Sequence, residues 1–562
     1  MRKLIVLLLW ATAVHAQGLN PESLLKPPTT MWPTYNGDYT GRRFSPLTQI
    51  NQTNVRSLTL AWAFQTHQQA MKSTPLEVNG ILYFTVPNQV WAVDARTGRQ
   101  IWHFERDSGG NFIANRGVAM YKDRLFVGTP DAHLICLDAR TGKKIWDVVV
   151  ADTTFGYYIS MAPLVVKGHL IVGISGDQTD IKAFLDCRSP IDGRLIWRWY
   201  STPKPGQPGA NTWPNADAMA HGGGTTWMTG AYDPELNLIY WGTGNPHPVL
   251  SGQVRPGANL YTCSIVAINP DTGKMVWYFQ ASPHDTQDRD ANETPVIFDA
   301  DFNGKPRKLL GQASRNGYFF LLDRATGKAL VSTPYGPQNW SEGLNKRGQP
   351  IPNLRKQPQP SGTLLDGTGT NWWAPSFDPE AGLFYVNGYR TILISYLTRN
   401  GSEANNSDHQ GGVVSPLWSQ ALLAAINYKT GKIKWERKSP AVIGFGENGS
   451  GILTTAGHLL ITGDISGDLV ALDPETGKTL WHVYAGGSVT GCPMTYELNG
   501  RQYLLTAVDS VLYAWALPMD LIAWRYPQPP SLTSTIGADN WLPDRLGNWP
   551  IRRQVAEQQA TR

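Results

Sequence analysis

The stretch ALDPETGKTLW at residues 471–481 returns, in altered form, along the whole chain. It reads AVDARTGRQIW at 92–102, CLDARTGKKIW at 136–146, AINPDTGKMVW at 267–277 and AINYKTGKIKW at 425–435. Two worn copies are CRSPIDGRLIW at 187–197 and LLDRATGKAL at 321–330, the second without its tryptophan. Each copy predicts a strand ending in Asp or Asn, a turn, and a second strand. The acid or amide accepts turn N–H groups, and the glycine supplies a positive φ. A tryptophan four residues after that glycine is placed to wedge between neighbouring sheets and bury a large ring. Ahead of each motif lies a further strand pair, as in VNGILYFTVPNQVWAVD at 78–94. Each unit is thus about four short antiparallel strands, the makeup of a propeller blade. Trp102 and Trp146 are 44 residues apart and Trp435 and Trp481 are 46 apart, whereas Trp197 and Trp277 are separated by 80, marking a long insertion. Seven copies, plus one blade closed by LTLAWAF at 58–64 and QYLLTAVDSVLYAWAL at 502–517, predict an all-β, eight-bladed propeller.

The chain has 562 residues, with 22 Trp, 22 Tyr, 56 Gly and 40 Pro, a composition suited to many short strands and turns. Net charge is only +5 and forms no basic stripe, so nucleic acid is not an expected partner. Arg2 and Lys3 followed by the apolar run Leu4–Val14 and the small-residue site at Ala16 predict a signal peptide over 1–16. An uncleaved anchor is the alternative, disfavoured by the shortness of the run. With the signal removed, no membrane span is expected, and the mature protein belongs in the periplasm or outside the cell. The propeller is expected over 17–520. Residues 521–562, rich in Pro, Arg and Gln, read as an extended strap or flexible tail. The four cysteines, Cys136, Cys187, Cys263 and Cys492, form neither an adjacent pair nor CxxC. A zinc ribbon and a covalent c-type haem are therefore excluded.

Longer ordered stretches carry a resemblance. They are WPTYNGDYTGRRFSPLTQIN (32–51), HGGGTTWMTGAYDPELNLIYWGTGNP (221–246), RPGANLYTCSIVAINPDTGKMVW (255–277) and SRNGYFFLLDRATG (314–327). Over roughly 30–520 the chain resembles the quinoprotein alcohol dehydrogenases, eight-bladed propellers that bind pyrroloquinoline quinone. The resemblance implies oxidation of a small alcohol or sugar alcohol, with electrons passed to a separate acceptor such as a c-type cytochrome. It also implies a site. Trp227 matches the platform under the quinone, and its aromatic face and preceding glycines suit close approach of a ligand. Thr225, Ser160, Ser175, Arg116 and Arg315 match cofactor-facing positions; arginine holds its charge and grips carboxylates bidentately. Arg315 also matches the residue polarising the quinone carbonyl. Asp288 matches the catalytic base, which takes the hydroxyl proton as hydride leaves carbon. Asn245 and Asp288 match metal ligands. Asp290 matches the acid found in members using a lanthanide in place of Ca2+, since a trivalent hard ion favours more charged oxygen.

Three places depart from the family pattern. Gly110-Asn111 stands where an adjacent-cysteine disulfide is usual. Gln178 stands at the metal-binding glutamate and offers oxygen without charge. Lys72 stands at a glutamate; it is either a partner for a quinone carboxylate or a surface lysine. The pair Asn371-Trp372, in GTNWW, resembles a channel-facing segment. The rival reading is a non-catalytic propeller, an assembly scaffold or ligand sensor. Retention of Trp227, Asn245, Asp288, Arg116 and Arg315 together favours the enzyme.

Overall fold

The computed structural model describes residues 18–26, 29–176, 179–398, 411–443, 449–463 and 467–519. The expected signal peptide and tail, and Gln178, lie outside the described residues. Residues 1–518 form one compact unit, and of the second, 519–562, only Met519 is described.

The described strands build eight sheets of four or five strands, besides a two-stranded hairpin at 341–352. We number them as blades 1 (76–105), 2 (119–149), 3 (164–200), 4 (231–280), 5 (296–334), 6 (363–442), 7 (452–484) and 8. Blade 8 joins Thr59–Gln65 to Met494–Leu498, Arg501–Val508 and Val511–Ala516, so the two ends of the chain close one sheet, as the sequence predicts.

The repeat explains how the sheets meet. Asp94 accepts the N–H groups of Arg96 and Thr97, and Asp138, Asn269, Asp323, Asn427 and Asp473 cap their turns in the same way. The turn glycines at 98, 142, 193, 273, 327, 431 and 477 all lie at φ between 68 and 74°. In each of the eight sheets the outermost strand slips register by one residue just before the tryptophan position. A bulge of this kind re-aims the side chain that follows. The indole then lies on the turn glycine of the next blade. A Cβ on Gly98 would stand 2.6 Å from the Trp62 ring, on Gly142 2.6 Å from Trp102, and on Gly273 2.7 Å from Trp197. The same holds for Gly327 on Trp277 (2.5 Å) and Gly477 on Trp435 (2.7 Å). Five of these indoles also donate to a main-chain carbonyl of the next blade, at Ala95, Ala139, Pro270, Arg324 and Pro474. Blade 5, whose repeat lacks tryptophan, offers Val331 and Thr333 to Gly431 instead. Trp481 meets Trp515 of blade 8 edge-on at 5.6 Å, which completes the circle.

A second element spans the ring. Residues 19–26 and 29–50 run across the first strands of the blades. Thr30 bonds to Glu497, Trp32 to Glu77, Tyr39 to Tyr232, Thr40 to Ile297, Arg42 to Phe377 and Arg43 to Thr454 through the backbone. The Tyr39 hydroxyl donates to the Val165 carbonyl, Leu19 pairs with Lys122, and the Ile50 N–H reaches the Gln502 side chain. All eight blades are thereby touched. Arg43, 1% exposed, donates to the carbonyls of Tyr35, Ile452 and Pro493, binding the strap to itself and to blades 7 and 8.

Docking of indole on glycine has a direct test. Gly304 (φ 74°) faces open space, whereas Gly327 (φ 71°) faces Trp277. Alanine at either carries the left-handed backbone cost of about 1–2 kcal/mol. Gly327→Ala also displaces a packed ring and is expected to cost about 1–3 kcal/mol more. Thermal unfolding of the two variants measures the difference; equal losses would show that the contact contributes nothing.

Candidate active site

The loops that precede the first strands of blades 2 to 5 carry Arg116, Ser160, Thr225, Trp227, Asp288 and Asp290, and those between the second and third strands of blades 3 to 5 carry Ser175, Asn245 and Arg315, so the ring brings positions far apart in sequence to one place. Trp227 is 7% exposed and packs with Ala162, Met228 and Tyr35, the last contributed by the strap. Trp372 packs against the same cluster. The Arg116 guanidinium lies 4.8 Å from the Trp227 ring centroid and 5.3 Å from that of Trp372, within cation–π range of both. Arg116 Nη1 donates to Ser160 Oγ at 2.8 Å, and Ser160 Oγ lies 2.9 Å from Ser175 Oγ. Four candidates named from the sequence thus form one chain of an aromatic face, a cation and two hydroxyls.

The glycines before Trp227 act differently from expectation. A Cβ on Gly223 would lie 2.8 Å from the Asn245 carbonyl oxygen, and one on Gly224 2.6 Å from Ser201 Oγ. Both have positive φ, and the Gly224 N–H donates to the Asn245 carbonyl. They permit close approach of protein to protein, locking the Trp227 loop to the Asn245 loop, rather than approach of a ligand. Gly244 is equally constrained: a Cβ there would lie 2.6 Å from Thr225 Oγ1 and 3.1 Å from Asp290 Oδ1. Thr225, 1% exposed, accepts the Gly244 N–H through its carbonyl.

The carboxylates meet these loops from 285–290. Asp285 accepts the N–H groups of Gln287 and Arg289, forming a turn in which Asp288 sits at φ 61°. Arg289 packs over Trp340. Asp288 Oδ2 accepts Arg315 Nη2 at 2.8 Å with its side chain 36% exposed, whereas Asp290 is fully buried. Asp290 Oδ2 accepts Trp227 Nε1 at 3.1 Å and lies 3.5 Å from Arg315 Nη1; Oδ1 accepts the Asn245 N–H at 2.6 Å. Burial works to lower the Arg315 pKa, but the facing Asp288, Tyr389, Asp290 and Glu293 together hold it well above its ordinary value. Glu293 is buried beside Ser314, and burial pushes its carboxyl up to about 8.

The donor set fits a hard cation. Asn245 Oδ1 is buried and has no hydrogen-bond partner, although its backbone is held by Asp290. An orphaned buried oxygen carries a desolvation cost that a metal ion removes. Asp288, Asp290 and Arg315 sum to one negative charge, which favours a cation there. Among the described residues no group of three or more His, Cys, Asp or Glu is arranged to hold a metal ion, and the oxygens gathered here come from one amide and two carboxylates. The indole, guanidinium and paired hydroxyls fit a flat polyanionic quinone.

Two candidates sit at the edge. Lys72 Nζ donates to the Ile113 carbonyl at 3.2 Å, tethering the loop that stands where the family carries its disulfide. That loop, with Phe112, Ile113, Tyr157 and Tyr158, lines a cavity of about 550 Å³. Asn371 Oδ1 accepts the Trp372 N–H, so it orders the residue that reaches the cluster. Trp372, read from the sequence with Asn371 as part of a channel-facing segment, packs against the Trp227 cluster, whereas the support from Tyr35 is absent from the sequence expectations. The signal for Trp372 was the adjacent GTNWW; Tyr35 had none beyond its place in 32–51.

The glucose/ethanol/alcohol dehydrogenase β-propeller family, abbreviated PQQ, matches residues 32–366 and 409–504. The quinoprotein alcohol dehydrogenase PedH of Pseudomonas putida is 34% identical over 559 residues, covering 91% of each chain. The solved quinohemoprotein alcohol dehydrogenase of Comamonas testosteroni superposes with a TM-score of 0.82 at 31% identity, over 89% of this chain and 83% of the other. A europium-containing methanol dehydrogenase gives 0.79 at 27% identity, over 88% of this chain and 100% of the other. A propeller closed by indole-on-glycine docking, with an aromatic floor, a guanidinium and a carboxylate pair at its loops, therefore belongs to the PQQ-dependent alcohol dehydrogenase family.

Proposed function

We propose that this protein is exported and oxidises a small alcohol or sugar alcohol at the Asp288–Arg315 pair, with pyrroloquinoline quinone on the Trp227 face and a Ca2+ or lanthanide ion at Asn245, Asp288 and Asp290. The convergence of Trp227, Asn245 and Arg315 on the buried Asp290 carboxylate carries this reading, because it puts the aromatic floor and the cation pocket in hydrogen-bond contact. When bound, the quinone would supply a hydride acceptor, and an ion held by Asn245, Asp288 and Asp290 would supply positive charge to polarise a carbonyl.

The chain's own residues would do the rest. Asp288 is the exposed member of the carboxylate pair and so the one able to receive a substrate hydroxyl proton. Its partner Arg315 favours the ionised carboxylate needed for that step. Arg116, Ser160 and Ser175 offer positive charge and O–H groups to quinone carboxylates. This sequence has no CxxCH, so electrons would leave one at a time to a separate carrier, for which a c-type cytochrome is suited. A 1-butanol dehydrogenase (cytochrome c) of Thauera butanivorans, 31% identical over 525 residues, is named for such a carrier.

Dye reduction with a panel of alcohols, after adding quinone with Ca2+ or with a light lanthanide, tests the reading. Asp288→Asn is expected to lower kcat by about 10²- to 10⁴-fold while quinone uptake persists. Wild-type activity retained in that variant would remove Asp288 as the base. If neither metal supports quinone uptake or dye reduction in the wild-type protein, the non-catalytic reading prevails.

The metal assignment has its own check. Asp290→Ala is expected to reduce lanthanide-supported activity more than Ca2+-supported activity, because the larger ionic charge gains more from a second carboxylate. Equal losses would show that Asp290 does not ligate the ion.

A further inference from the structure

Trp227 differs from the other tryptophans in where its N–H goes. The paired indoles of the described residues donate to main-chain carbonyls: Ala95, Ala139, Pro270, Arg324 and Pro474 between blades, and Leu260, Thr226 and Asn316 elsewhere. Trp227 Nε1 instead donates to a carboxylate, Asp290 Oδ2. That carboxylate is fully buried, and its other oxygen holds the Asn245 backbone at 2.6 Å. The Asp290 carbonyl is tied in turn by Ser314 Oγ at 3.3 Å. Gly244 leaves the room this arrangement needs, since a Cβ would stand 3.1 Å from Asp290 Oδ1.

An indole on a planar ligand must hold its tilt, and its edge is the natural place to fix it. A charge-assisted hydrogen bond is about twice as strong as a neutral one, and burial removes the water that would compete for it. The hydrophobic neighbours Tyr35, Ala162 and Met228 restrain the indole by shape alone. The Nε1 bond adds a directional restraint on turning about the Cβ–Cγ bond, which sets the tilt of the ring face.

We propose that Asp290 is a positioning residue for the quinone floor: its carboxylate fixes the Trp227 indole edge to the Asn245 backbone, independently of any metal ion. Asp290 then serves the aromatic floor even where no cation is bound. Loss of Asp290 disturbs both halves of the site, and the tilt of the floor and the capture of a cation are coupled through one side chain. By linkage, whatever restrains Asp290 favours the seated quinone, and the seated quinone favours the restrained Asp290. The binding consequence rests on the quinone reading; the orientation of the indole does not.

Calorimetric titration of pyrroloquinoline quinone into full-length protein held in chelator separates this role from metal ligation. Wild type, Trp227→Phe, Asp290→Asn and the double variant are compared. In Asp290→Asn the amide nitrogen must face one of two N–H donors, so the bridge is broken with little change in volume. Each single variant is expected to weaken metal-free binding on the order of tenfold, and the double variant no more than the weaker single. The absorption of bound quinone should shift alike in both. Unchanged metal-free affinity in Asp290→Asn, or losses that multiply, would overturn the proposal. A crystal structure of the ligand-free Asp290→Ala variant supplies a readout that needs no quinone. It is expected to show the indole rotated from its present position, and an unmoved indole would refute the bridge. Failure of the wild-type protein to take up quinone would sink the functional reading, while the crystal structure still decides the role of Asp290.

Discussion

Five of the eight junctions between blades rest on one contact, an indole laid on the turn glycine of the neighbouring blade. A buried aromatic ring of this size contributes far more than the turn it covers. The turn in turn must be glycine, because a Cβ would fall within about 2.5–2.7 Å of the indole ring at each tryptophan-docked turn quoted above. Repeated around the circle, the contact makes each sheet the template for the next. The bulge ahead of each tryptophan is what aims the ring. The contact also tolerates replacement: Val331 and Thr333 of blade 5 receive Gly431, and Trp481 meets Trp515 instead of a glycine. The chain ends then need only supply strands to one sheet for the circle to close.

A closed ring with loops at one mouth explains how a site can be assembled from residues 116 to 372. Blades 2 to 6 deliver short segments to the same site, and the strap adds Tyr35 to the Trp227 cluster. Charge decides the interior of the site. Two carboxylates and one guanidinium are held within hydrogen-bond reach, with a surplus negative charge and an orphaned amide oxygen at Asn245. The buried member, Asp290, is satisfied by N–H donors; the partly exposed member, Asp288, is the one left able to meet a substrate. Under the proposed function, two aspartates two residues apart would divide the labour between holding the site and working in it.

The frame was legible in the sequence because its physics is local. Asp or Asn, Thr, Gly and Trp at fixed offsets report a turn, a positive φ and a docked ring within eleven residues. The blade count followed from the copies and from two half-motifs at the ends. Site residues were legible only through longer ordered stretches, since no local rule singles out Trp227 among 22 tryptophans. Contacts between distant segments were not legible. Nothing in WPTYNGDYTG shows that Tyr35 would underlie Trp227, that Arg43 would collect three carbonyls, or that Lys72 would tether Ile113. The glycines at 223 and 224 were visible, but their purpose was misjudged: close approach was correctly read, and its partner was the Asn245 loop rather than a ligand.

The account stands most directly on where the quinone sits. A crystal structure of the protein with pyrroloquinoline quinone and a light lanthanide is predicted to place the ring system flat on Trp227, carboxylates toward Arg116, Ser160 and Ser175, and the ion against Asn245 and Asp290. A quinone bound elsewhere, or an ion away from these oxygens, would contradict it.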